Sequence, residues 1–185
     1  MSVRVRRNRH GGVAVTLDLV EHHVLRRFLL RTLELLDGLE SDQPADDDPL
    51  ARAVEIGTAT EAPADPALAR LFPDAYADDP EASGDFRRYT EPGLRTAKRE
   101  ALETTLETLG EEPGKVVLST EQAEAWLGAL NDTRLVLGER LGITEDIDAM
   151  VASLDEDDPR LGLLAVWELL SYLQESVVGA LSDGP

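Results

Sequence analysis

Four arginines stand near the N-terminus in the run Arg4-x-Arg6-Arg7-x-Arg9. Alternate side chains of a strand share one face, so an extended run of this kind lines up cations for phosphates or for a patch of carboxylates. The same pattern also suits an exposed, charged edge strand that discourages association with other sheets, and the residues alone do not separate the two roles. A second feature spans Trp126 to Gly142, where Asn131, Asp132, Arg134 and Arg140 are embedded in an otherwise apolar helical stretch that also holds Gly138. Polar groups so placed are usually hydrogen-bonded or paired anchors, and packing is the role expected of them here.

Other chemistry finds little support. His22 and His23 are adjacent, so on a helix they point about 100° apart and cannot clamp one metal ion; His10 belongs to a turn, and no metal site is expected. Among 37 carboxylates a pair at catalytic separation arises by chance and means nothing without a pocket. There is no G-x-S-x-G elbow, no phosphate-cradling Walker loop and no G-x-G-x-x-G turn, so no cofactor is expected and the chain reads as non-enzymatic. It has no cysteine, which excludes disulfides, thiolate metal sites and a thiol switch within this polypeptide.

The net charge of -19 conceals an asymmetry. Residues 1–31 hold seven arginines against Asp18 and Glu21, a balance of +5, while the remainder sets 11 cations against 35 carboxylates, or -24. Such a body repels nucleic acid and favours basic protein surfaces. A chain of 185 residues, 42% of them hydrophobic, is expected to form one domain over 1–185. No run approaches the roughly 20 uninterrupted apolar residues of a membrane span, and no signal-peptide core follows the arginines, so the expected location is the cytoplasm, with no membrane partner.

The elements that must carry these residues can be read from periodicity. Val3 and Val5, then Val13, Val15 and Leu17, alternate on either side of His10-Gly11-Gly12 and predict a β-hairpin over 3–17, with both glycines supplying a positive φ. Asp18 and Glu21 have capping-box spacing, and a helix is predicted over 19–37, ending at Gly38. Residues 40–49, acidic with two prolines, read as a mobile loop; short helices are predicted at 50–56 and 65–71, within a helical body over 50–185. From Asp79-Pro80 to Gly110 an apolar stripe of Phe86, Tyr89, Leu94, Leu102, Leu106 and Leu109 is helical, but Pro92-Gly93 predicts two helices in line rather than one. Val116-Val117-Leu118 reads as a third short strand, and Ser119 with Gln122 opens a helix ending at Gly142. A short helix near 144–153 precedes a last one at 160–181 that is apolar almost all round, which implies the centre of a bundle or a homo-oligomer interface. The fold class is therefore mainly α, a helical bundle with a small N-terminal hairpin and a third short strand.

The Trp126–Gly142 segment, with Asp85-Phe86-Arg87-Arg88-Tyr89-Thr90-Glu91 and Leu71-Phe72-Pro73-Asp74-Ala75-Tyr76, resembles an actinobacterial domain-of-unknown-function family that includes the mycobacterial oxidative-stress regulator AosR. The likeness runs from the hairpin to the last helix, and it marks Trp126, Asn131, Asp132, Arg134, Gly138, Arg140, Phe86 and Arg87 as family-motif residues. It implies a regulatory protein with a protein partner, a sigma factor or RNA polymerase, and an oxidant signal received through a cysteine pair. This chain departs from that pattern in having no cysteine, so any oxidant signal would have to be received by the partner or act through altered abundance. Direct DNA binding through the basic hairpin, or a place as an enzyme subunit, are the rival readings.

Overall fold

The computed structural model describes residues 3–8, 11–42, 59–144 and 147–182. Arg9, His10, most of the predicted acidic loop and the predicted helix at 50–56 lie outside the described residues. The strands are β1 (Arg4–Arg7), β2 (Val13–Thr16) and β3 (Lys115–Leu118); the helices are α1 (Leu19–Asp42), α2 (Pro66–Leu71), α3 (Pro80–Leu109), α4 (Thr120–Leu141), α5 (Ile147–Ala152) and α6 (Arg160–Ser182). The fold is mainly α with one small antiparallel sheet, as the periodicity predicts.

The sheet order is β1-β2-β3, with Arg4, Thr16 and Lys115 in one register row and Arg6, Ala14 and Val117 in another. Its inner parity carries Val3, Val13, Val15 and Leu118, all buried against the helices. The two turn glycines have different tasks. Gly11 adopts a φ of +87°, whereas Gly12 lies so close to β3 that an added Cβ would sit 2.0 Å from the Leu118 carbonyl oxygen. The first glycine thus meets a backbone need and the second a need for space. Asn8 closes the turn: its N–H donates to the Gly12 carbonyl and its Oδ1 accepts from the Gly12 N–H.

Helix starts follow their local signals. Asp18 and Glu21 exchange backbone-to-side-chain hydrogen bonds, Asp65 and Asp79 each accept from an N–H of the first turn ahead of a proline, and Ser119 with Gln122 completes a capping box. Helix ends follow them less faithfully. α1 runs through Gly38 to Asp42, because one glycine costs only about 1 kcal/mol in a helix and an Asp37–Arg99 ion pair at 2.5 Å ties this part of α1 to α3. α3 is one 30-residue helix, not two, with Pro92 inside it. The Pro92 ring removes one i to i−4 hydrogen bond, but Glu91 receives Arg87 from one side and Arg95 from the other, so an ion-paired ladder crosses the proline on the buried face.

α4 is the central helix, packed against α1, α2, α3, α6 and β3. Of the two places expected for the last helix, the centre of the bundle or a homo-oligomer interface, the first is taken by α4. α6 instead lies along α4, β1 and α1, burying Leu164, Leu169, Leu170, Leu173, Val177 and Ala180 while leaving Tyr172 and Val178 exposed. By length and mean hydropathy alone this helix could span a bilayer, but Glu168 and Glu175 interrupt it and one face serves the core.

Candidate interaction surfaces

Among the described residues, no helix lies on the outer face of the sheet. Arg4 and Arg6 project from β1, Lys115 and Val117 from β3, and the small Ala14 and Thr16 of β2 lie between them as the floor of a shallow open depression. Arg7 pairs with Val13 and so belongs to the other parity, yet it is exposed and reaches the rim. Among the described residues Arg4, Arg6, Arg7 and Lys115 make no ion pair. Eight other cations, Arg26, Arg70, Arg87, Arg95, Lys98, Arg99, Arg140 and Arg160, each hold a carboxylate. Arg27, Arg31 and Arg134 also lack an ion pair among the described residues, so what sets the sheet apart is that its unpaired cations are gathered on one face.

The family-motif residues lie elsewhere, along α3 and α4. Arg87 is 4% exposed and donates to three acceptors: the Phe72 carbonyl at 3.0 Å, Asp74 Oδ1 at 2.7 Å and Glu91 Oε2 at 2.6 Å. Burial alone would lower the pKa of its guanidinium, but the hydrogen bonds and charges of Glu91 and Asp74 outweigh it and hold the group above its ordinary value. Glu91 also accepts from Arg95, whose guanidinium lies 5.3 Å over the Phe72 ring. One turn further along α3, Lys98 donates to Asp132 Oδ1 at 2.7 Å and lies 6.0 Å from the same ring. Burial pushes the Asp132 carboxyl up, and the hydrogen bonds from Lys98 and Asn131 with the Lys98 charge oppose this without cancelling it.

Arg140 reaches Asp65 Oδ2 at 2.5 Å, so the carboxylate that caps α2 also fastens it to α4. Burial raises the Asp65 pKa, yet the Arg140 hydrogen bond and charge and the Ala67 N–H bring it below the usual range. Trp126 is fully buried and donates from Nε1 to Thr108 Oγ1 at 2.8 Å. Arg134 stacks 5.8 Å over the Trp167 ring and makes one long contact to Asn131. An added Cβ on Gly138 would meet Trp167 Nε1 at 3.4 Å, so this glycine lets α4 and α6 approach. The ion pairs of Arg87, Lys98 and Arg140 are short and mutually neutralising.

Phe86 departs from its sequence reading. Of the stripe predicted along α3, Phe86, Tyr89 and Leu94 are exposed, while Ser83, Gly84, Arg87 and Glu91 are the buried residues of that half. The periodicity was that of a helix, but the apolar phase of its first half faces out, because the inner phase is committed to the ion pairs around Phe72. Leu102 and Leu109 are buried as predicted.

A family model for a domain of unknown function, DUF2017, matches residues 3–181. The chain belongs to this family. It is 33% identical over 171 residues to the putative oxidative stress regulator AosR of Mycobacterium leprae, and 32% identical over 171 residues to the oxidative stress regulator AosR of Mycobacterium tuberculosis; each alignment covers 85% of this chain and 77% of the relative. No solved structure matches.

Sequence reasoning found the arginines of this family member but missed Lys115, Thr16 and Ala14 beside them. The signal was there in part: Lys115 and Val117 share a parity in the third strand, and only the pairing of β2 with β3 shows which parity faces out. Among the described residues no group of three or more His, Asp or Glu side chains is placed to hold a metal ion.

Proposed function

We propose that this chain is a non-enzymatic regulatory protein of the cytoplasm that acts through protein–protein contacts in transcription, with a sigma factor or RNA polymerase as the partner. The observation that carries this is the sheet face of Arg4, Arg6 and Lys115, exposed and, among the described residues, without an ion pair, in a chain of net charge -19. The relatives' names as oxidative stress regulators support a regulatory role. Three strands of four residues make a face about 13 Å by 10 Å, enough for a short acidic segment of a protein. Direct DNA binding uses the same cations and is the second reading; the body of -24 opposes it, and the footprint spans few phosphates.

The test is co-purification of RNA polymerase holoenzyme with the wild-type chain and with the triple variant Arg4→Glu, Arg6→Glu, Lys115→Glu. Association lost in the variant is expected; association unchanged by three charge reversals would overturn the assignment to this face. A tight complex of the isolated chain with a DNA duplex, weakening steeply with salt, would instead establish the second reading.

A further inference from the structure

The first half of α3 is inverted relative to an ordinary bundle helix: it buries Arg87 and Glu91 and exposes Phe86, Tyr89 and Leu94. Single exposed apolar residues need no explanation. Here, however, three of the chain's eight aromatic residues, Tyr76, Phe86 and Tyr89, share one surface, each about half exposed or more. Tyr76 meets Phe86 edge to face at 6.1 Å, and Phe86 and Leu94 form one wall of a crevice whose other wall is the segment of Pro73 and Ala75. The crevice floor is held by the bonds from Arg87 to the Phe72 carbonyl and Asp74, so its shape is set before anything binds. Preformed apolar crevices edged by tyrosine have the composition of interface centres rather than of ordinary surface.

The charge around it selects the occupant. From Leu71 to Tyr89 the chain has five carboxylates, Asp74, Asp78, Asp79, Glu81 and Asp85, against Arg87 and Arg88; Arg87 is buried on Asp74 and Glu91, so the exposed surface around the rings keeps an excess of carboxylates. Phe86 to Leu94 covers about 12 Å of helix, two turns, which matches anchors at i, i+4 and i+7 of a helix lying across the patch, with one side chain entering the crevice of about 50 Å³. We propose that this patch docks a basic amphipathic helix of a protein partner, with Phe86, Tyr89, Leu94 and Tyr76 receiving its apolar face and the surrounding carboxylates its cations. The surface is distinct from the sheet face, and the two proposals stand or fall separately.

The probe is a synthetic leucine–lysine amphipathic helix of about 18 residues, titrated calorimetrically into the full chain at physiological salt, with a scrambled peptide of equal charge as control. Micromolar binding is expected, with amide-signal changes centred on residues 76, 86, 89 and 94, and affinity about tenfold weaker for the scrambled peptide and for Phe86→Ser. Tyr89→Ser, at the most exposed ring of the patch, serves if Phe86→Ser lowers stability; circular dichroism checks both. Equal affinity for the two peptides would reduce the interaction to bulk charge and overturn the proposal. So would wild-type affinity in both variants, or a concentration-dependent dimer abolished by Phe86→Ser, which would assign the patch to a second copy of the chain.

Discussion

Arg6 and Arg87 are the same residue type in opposite electrostatic situations. Arg87 is shut inside the bundle with two carboxylates and a backbone carbonyl on its guanidinium, in a seam where Arg95, Lys98 and Asp132 are likewise matched. Arg6 stands on the open sheet face with Arg4 and Lys115 and, among the described residues, makes no ion pair. The contrast shows where charge serves the fold and where it is left over. In the seam, most charges sit a helical turn or one helix–helix contact from a counterion, so removing one leaves a buried group short of a partner. On the sheet the charges are solvated and contribute nothing to folding that water does not replace.

This division can be tested by removing charge from each region. Arg87→Ala has the largest expected effect: it leaves Glu91 buried without one of its two cationic partners and the Phe72 carbonyl without its donor, a loss of about 3–5 kcal/mol in urea unfolding. A cost below about 1 kcal/mol would mean that the seam is replaceable surface polarity rather than an anchor.

Lys98→Met should be intermediate, roughly 1–3 kcal/mol at neutral pH, because Asp132 remains buried while losing its counterion. The sign with pH follows from the raised Asp132 carboxyl: the folded state binds the proton more tightly than the unfolded chain does, so ionisation opposes folding. Removing Lys98 raises that pKa further, and the Asp132 contribution to stability should recover as pH falls through the folded pKa toward 3.8. Thermal melts of wild type and variant across this window give the answer. A deficit that stays constant with pH would show that Lys98 acts through its stem over Phe72 and not through its charge.

The smallest expected effect on stability is that of Arg4→Glu with Arg6→Glu, within about 0.5 kcal/mol, since neither side chain is paired or buried. A cost comparable to that of Lys98→Met would erase the distinction between the regions and return the arginine run to a structural role.

Sequence legibility follows the same divide between near and distant partners. The caps at Asp18, Asp65, Asp79 and Ser119 were readable because cap and helix start are within three residues of each other. The hairpin strands were readable from alternation and the third from its β-branched run, but not which parity of β3 would join Arg4 and Arg6. Pro92 misled because a proline's local cost is visible in the sequence, while the Arg87–Glu91–Arg95 ladder that spans it depends on burial. Arg87 was picked out as a motif residue, yet its tie to Phe72, fifteen positions earlier, has no local sign. Phe86 and Tyr89 belong to the predicted apolar stripe, and a stripe normally faces inward; the charges buried beneath them turn its first half outward.

The pairing of β2 with β3 also bears on when the molecule becomes competent. Thr16 and Lys115 are register partners across almost a hundred residues of intervening chain, and Gly12 lets β3 settle against the turn. Contacts so distant along the chain form late in folding, because their loop-closure entropy is offset only once the helices between them have organised. The N-terminal arginines leave the ribosome first, but the depression that joins them to Lys115 comes into being only after α1 to α3 have been synthesised and packed. The cationic face is therefore a proofread surface: a truncated or misassembled chain carries the arginines without the site.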